Sequence, residues 1–260
     1  MRAFFREFFR VGDEFQWQPS GFLSWQHLTF VTVLVVLMVL LAVLLGRKNR
    51  NATMAKKNRV LIWSAVLIDG FELLKIILAC ADDPGSWTMM LPLFLCSIQL
   101  ITIPLAAFAR GRVKAAALDF VSIFGLLGAL LGTYGAGQNY NAYPVLSFPN
   151  VVSGITHCIS GFAALYILIS GMASMDKKDI PVTLGILTFF CAAAFVANEL
   201  VEYNYMFLRR GDGTPYDILF NLVGGHPVIY PVGVVALFFL YILGFYAIFF
   251  AVTKKRKVNA

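Results

Sequence analysis

Residues 27–46 read HLTFVTVLVVLMVLLAVLLG, an apolar run without a single Asp, Glu, Lys or Arg. At 1.5 Å per residue such a run, as a helix, matches the hydrocarbon thickness of a bilayer, for which about 20 residues are needed. The segment that follows, 47–59, reads RKNRNATMAKKNR and carries six Lys and Arg. An uncharged run closed by a basic loop predicts a membrane span whose C-terminal end faces the cytoplasm.

The same reading extends along the chain. Further runs of spanning length lie at 60–80, 89–108, 115–134, 150–172, 181–203 and 228–252. Of the 260 residues, 59% are hydrophobic and 13% charged, and the mean hydropathy is +0.76. Soluble domains carry about a quarter charged residues, so a soluble fold is excluded. The expected class is all-α: a polytopic, multi-pass membrane protein built as a seven-transmembrane-helix bundle. One transmembrane domain is expected over 1–260. It comprises an N-terminal interfacial segment (1–24), the spans (27–252) and a basic cytoplasmic tail (253–260).

Charge placement gives the orientation. Loops 47–59, 109–114 and 173–180 and the tail 254–257 fall on one side and hold fifteen Lys and Arg, against five on the other. The N-terminus is therefore expected outside and the C-terminus in the cytoplasm. Topology accounts for the net charge of +7, and no nucleic-acid partner is expected. Phe4, Phe5, Phe8 and Phe9 recur at helical spacing among Arg2, Arg6, Glu7 and Arg10, as in a short helix lying in the interface. No apolar segment with a small-residue cleavage site precedes the first span, so no cleavable signal is expected there.

Ionisable residues inside a span are costly and mark candidate functional sites. Asp69, Glu72 and Lys75 are three apart in span two and share a helix face, with Glu72 and Lys75 able to pair. In span three, Cys96 and Gln99 are likewise neighbours within 91–100, LPLFLCSIQL. His157, in span five, is expected at the depth of Cys96, about 10 Å below the outer surface. Asn198, Glu199 and Glu202 lie in the last turns of span six. Together Glu72, Lys75, Cys96, Gln99, His157, Asn198 and Glu199 suggest one polar pocket in the outer half. His27 and His226 are expected at the interface. Asp119 is expected to be solvated or paired with Lys114 or Arg112. Cys80, Cys96, Cys158 and Cys191 show no C-x-x-C spacing, so neither a zinc site nor a disulfide framework is expected. The absence of a phosphate loop and of ligand-spaced histidines likewise points to no metal and no cofactor.

Three blocks carry a resemblance to a known family. They are LPLFLCSIQL (91–100), FGLLGALLGTYG (124–135) and NYMFLRRGDGTP (204–215), the last followed by His226, Pro227 and Tyr230. In these the chain resembles the YwaF-type bacterial integral membrane proteins, which are similar to the animal transmembrane-protein-164 group. The resemblance implies seven spans and a cell-membrane location, the bacterial plasma membrane. From the animal branch it implies acyl transfer between phospholipids, dependent on a cysteine and a histidine that fall on Cys96 and His157. One departure is that Phe94 stands where the family block has histidine.

Three functions are open at this stage. Cys96, activated by His157, would be the nucleophile of a lipid acyltransferase or hydrolase acting on phospholipid acyl chains, with Gln99, Asn198 or Lys75 stabilising the oxyanion. Alternatively, Asp69, Glu72, Lys75 and Glu199 would line the path of a proton- or solute-coupled transporter. The third reading is a non-catalytic lipid-binding protein. Membrane lipids are the expected partners in each.

Overall fold

The computed structural model describes residue 8 and residues 21–258, with side chains described through Thr253. The proposed interfacial helix of the first seventeen residues therefore lies outside the described residues, apart from Phe8. Among the described residues the secondary structure is entirely helical. The α-helices are α1 (Trp25–Asn49), α2 (Met54–Asp82), α3 (Gln99–Phe108), α4 (Gly111–Tyr134), α5 (Gly137–Ala142), α6 (Phe148–Ser170), α7 (Ile180–Val201), α8 (Tyr216–Leu222) and α9 (Ile229–Val258). Five of them, α1, α4, α6, α7 and α9, are long and apolar enough to cross a membrane. Helix α2, 29 residues long, has the length but carries the Asp69, Glu72 and Lys75 set.

Helices α4 and α6 form the centre. In each, 61% of the most apolar window is buried, against 17% in α1 and 22% in α9, so the outer helices present their apolar faces to lipid. Small residues allow the central contact. A side chain at Gly125 would stand 2.7 Å from the Ser160 carbonyl oxygen and 3.1 Å from Ala164 Cβ. One at Gly161 would collide with Ala129. In lipid, where helix association draws little on the hydrophobic effect, close backbone approach through such positions supplies the packing energy. Around this pair, α1 and α2 pack on α6, α3 on α4 and α2, and α7 on α4. Helix α9 closes the bundle against α7 and α8.

The two ends are tied differently. At one end, basic residues that mark topology in the sequence also cap helices. Lys57 is buried and donates to the Ser170 carbonyl at 2.7 Å, at the C-terminus of α6. Lys114 donates to the Ala106 and Ala107 carbonyls at the C-terminus of α3, and Asn58 also donates to Ala107. Cations at helix C-termini satisfy orphan carbonyls and the dipole together. At the other end, His27 in the first turn of α1 is fully buried against the bundle. It accepts from the Leu23 N–H through Nδ1 and bonds the Thr133 carbonyl through Nε2 at 3.0 Å, joining α1 to α4. His226 is exposed and caps α9, its Nδ1 accepting from the Val228 and Ile229 N–H groups.

Two expectations are corrected here. Asp119 is neither solvated nor paired with Lys114 or Arg112. It is fully buried and accepts from the Met175 N–H at 3.1 Å and the Tyr246 O–H at 2.7 Å, because the basic side chains are spent on the carbonyls of Lys178 (Arg112) and of α3 (Lys114). The third apolar run is also not one continuous helix. After a 3₁₀ turn, Pro84–Met89, the backbone is irregular to Ile98, and only Gln99–Phe108 is α-helical.

The central crossing yields a stability prediction. Gly125→Val, which must push the helices apart, is expected to destabilise the detergent-solubilised protein by about 1–3 kcal/mol. Gly70→Ala, on the exposed surface of α2 with no atom within 4 Å of the added carbon, is expected to leave it unchanged or slightly stabilised. Thermal melts of both variants check this. Equal melting temperatures would show that the α4–α6 contact does not limit stability.

Candidate functional site

The break in the third run follows from its sequence. Pro92 lacks an N–H and disfavours the helical conformation of the residue before it. Leu93 instead bonds the Leu91 carbonyl at 2.7 Å across Pro92. The Ser97 hydroxyl then accepts from the Phe94 N–H at 3.0 Å and lies 3.2 Å from the Phe94 carbonyl, competing locally with helical bonding. Regular helix begins only at Gln99. Cys96, expected well inside a helix, is therefore held in a turn directly before the N-terminus of α3.

A second segment clamps this turn from outside. The Tyr205 hydroxyl donates to the Thr88 carbonyl at 2.5 Å and accepts from the Leu91 N–H at 3.1 Å. Tyr205 is itself fully buried and is gripped by Asn198, whose amide oxygen accepts from the Tyr205 N–H at 2.6 Å and whose NH2 donates to its carbonyl at 3.0 Å. Phe94 packs among Tyr203, Tyr205 and Phe207, with ring centroids 5.1–6.1 Å apart. The side chain at this position thus belongs to the aromatic clamp.

Within this frame the Cys96 thiol and the His157 imidazole are neighbours on one face of α4 and interact electrostatically. His157 Nδ1 lies 2.7 Å from the Ser153 carbonyl oxygen, one turn back on α6. A carbonyl only accepts, so Nδ1 carries the proton and Nε2 of the neutral ring is left as the acceptor for the thiol. The Ser153 hydroxyl lies 3.5 Å from the same nitrogen and accepts from the Asn139 amide at 3.3 Å.

Helix α4 makes room for the pair through glycine. A Cβ at Gly132 would overlap the Cδ2–Nε2 edge of the His157 ring, and one at Gly128 would touch Cys96 at 3.6 Å. Gly125, Gly128 and Gly132 thus serve three successive contacts: the α6 backbone, the cysteine and the histidine.

The structure divides the remaining candidates. Glu72 and Lys75 form an ion pair at 2.5 Å, both largely buried, and the charge of Lys75 is felt at His157. Gln99 is fully buried beside Cys96. Asn198 is also buried, but its side chain is committed to Tyr205. Glu199 does not join the group: 58% of its side chain is exposed, and it reaches toward Arg209 at 4.0 Å. Glu199 thus stands apart at the surface, because α7 turns its Asn198 edge inward. Ser153 and Tyr205 were not anticipated as site residues. Ser153 lies four residues before His157, on the same helical face, which is a signal present in the sequence. The link from Tyr205 to Leu91 has no local signature. Among the described residues no cluster of three or more His, Cys, Asp or Glu is placed to hold a metal ion.

Taken together, these features define an all-helical membrane protein with a thiol–imidazole pair set at a break in one of its helices. The chain belongs to the TMEM164 family, whose profile matches residues 22–252. No curated protein and no solved structure matches it.

Removing the clamp should loosen the turn. Tyr205→Phe, which deletes the hydroxyl bonded to Thr88 and Leu91, is expected to lower stability by about 1–3 kcal/mol. It should also speed amide hydrogen exchange in residues 88–97. Unchanged exchange there would separate the turn from the clamp. Gly132→Ala is expected to displace the imidazole and slow Cys96 alkylation, whereas Gly128→Ala, meeting only ordinary contacts, should keep the wild-type rate.

Proposed function

We propose that this protein spans the cell membrane seven times, with its N-terminus outside, and acts on membrane lipids as an acyltransferase or hydrolase with Cys96 as nucleophile and His157 as base. The observation that carries this reading is the juxtaposition of thiol and imidazole at a helix break, with Nδ1 already committed to a carbonyl so that Nε2 is free to take the thiol proton. Irregular backbone at membrane depth is tolerated where protein satisfies it, and interrupted helices commonly form binding sites. The ten residues of α3 rise about 15 Å, half a bilayer, and residues 84–98 complete the third crossing. The basic loops then lie on the cytoplasmic side.

The chemistry balances with these groups alone. As Cys96 Sγ bonds to the ester carbon, its proton passes to His157 Nε2 and the carbonyl electron pair moves onto oxygen. Collapse breaks the ester C–O bond, and the imidazolium protonates the departing alcohol, leaving an acyl thioester. An incoming alcohol or water reverses the sequence, giving its proton to Nε2 and restoring the thiol. Of the residues of the transporter reading, only Asp69 on α2, half-buried, is left, since Glu199 stands apart at the surface and Glu72 and Lys75 are spent on each other.

Incubation of detergent-purified protein with phospholipid, followed by intact-mass and peptide analysis, should reveal an acyl group on Cys96. It should be absent in Cys96→Ser and should form about 100-fold or more slowly in His157→Ala. Lipid turnover that persists in Cys96→Ser would overturn the covalent mechanism. Thiol probes should label Cys96 ahead of Cys158 and Cys191, which are buried, and His157→Ala should remove its advantage over half-buried Cys80.

A further inference from the structure

Gln99 is fully buried, yet its Nε2 has no hydrogen-bond partner. A buried amide donor left unpaired costs about 1–3 kcal/mol, so its retention beside the thiol calls for an explanation. Its other end is fixed, with Oε1 3.1 Å from the Thr102 hydroxyl. That contact directs the NH2 away from Thr102. The Gln99 N–H bonds the Cys96 carbonyl at 3.4 Å in an i to i+3 turn. In 3₁₀-type geometry, side chains three apart eclipse, so the side chains of Cys96 and Gln99 leave the backbone from the same edge of the turn.

Two other candidates for this role are already engaged. The Asn198 amide is occupied by Tyr205 at both ends, and Lys75 is paired with Glu72 at 2.5 Å.

We infer that the Gln99 side-chain N–H is the oxyanion donor, bonding the carbonyl oxygen of the lipid ester as negative charge develops on it during attack by Cys96. This assignment rests on the Cys96–His157 reading and deepens it. The donor has no protein partner to give up, so bonding the tetrahedral oxygen breaks no hydrogen bond of the protein.

The test uses two reactions of one thiol in detergent-purified full-length protein. Iodoacetamide alkylates sulfur by displacement at carbon and builds no oxyanion. A medium-chain p-nitrophenyl ester acylates it through a tetrahedral oxyanion. Gln99→Leu, which keeps the volume but lacks the donor, is expected to slow acylation of Cys96 by about 10²–10³-fold while alkylation stays within about threefold of wild type. Gln99→Glu, which keeps the shape and replaces the donor by an acceptor, should slow acylation at least as far. Equal loss of both reactions in Gln99→Leu would mean that Gln99 only packs the turn. Unchanged acylation in either variant would overturn the assignment, including the case in which the amide stands the other way round. If wild-type protein is alkylated at Cys96 but never acylated, the nucleophile reading itself fails. Normal acylation in both Gln99 variants sinks only the role of Gln99.

Discussion

The close crossing of α4 and α6 is the contact on which the rest depends. Gly125 against Ser160 and Gly161 against Ala129 bring two backbones together at distances no larger side chain permits. In a bilayer, burying leucine against leucine gains little over leucine against lipid, so the depth of interlock decides stability. The same glycine series continues along α4 to Gly128 and Gly132, which receive Cys96 and His157. One helix surface therefore sets both the bundle and the position of its reactive pair.

The break before α3 is the second constraint. A continuous helix through 89–108 would have bonded the Cys96 N–H within the helix ladder. The interruption at Pro92 and the Ser97 hydroxyl instead hold Cys96 in a turn outside that ladder. Such a turn exposes backbone polar groups that hydrocarbon cannot satisfy. Tyr205 satisfies two of them and is itself held by Asn198. The segment after α7 thus has a structural task that reaches across the molecule. Asn198, buried and polar, is explained by that task.

Much of the helical order was legible from local sequence. The runs at 27–46, 115–134, 150–172, 181–203 and 228–252 correspond to helices within a few residues at most ends, because apolar length and flanking charge act locally. The run at 89–108 misled, since hydropathy registers composition and is blind to a proline and a serine hydroxyl that break the ladder. Glu199 misled for a related reason. Position in the last turns of a span gives approximate depth, but the rotation of the helix decides whether a side chain meets protein or surroundings.

The sequence by itself determined that this is a helical membrane protein, where its long apolar segments lie, and that Cys96 and His157 are the residues to examine. The first two depend on composition and local spacing; the pair stood out through matching depth on two spans and through the family resemblance. Tertiary structure decided that the thiol meets the imidazole, that Nδ1 is committed and Nε2 free, and that Gln99 lies buried with an unused donor. The Nδ1 contact is made within one helix, but the meeting of thiol and imidazole depends on the separation and rotation of different helices, which the α4–α6 crossing establishes through atoms absent at Gly125, Gly128 and Gly132.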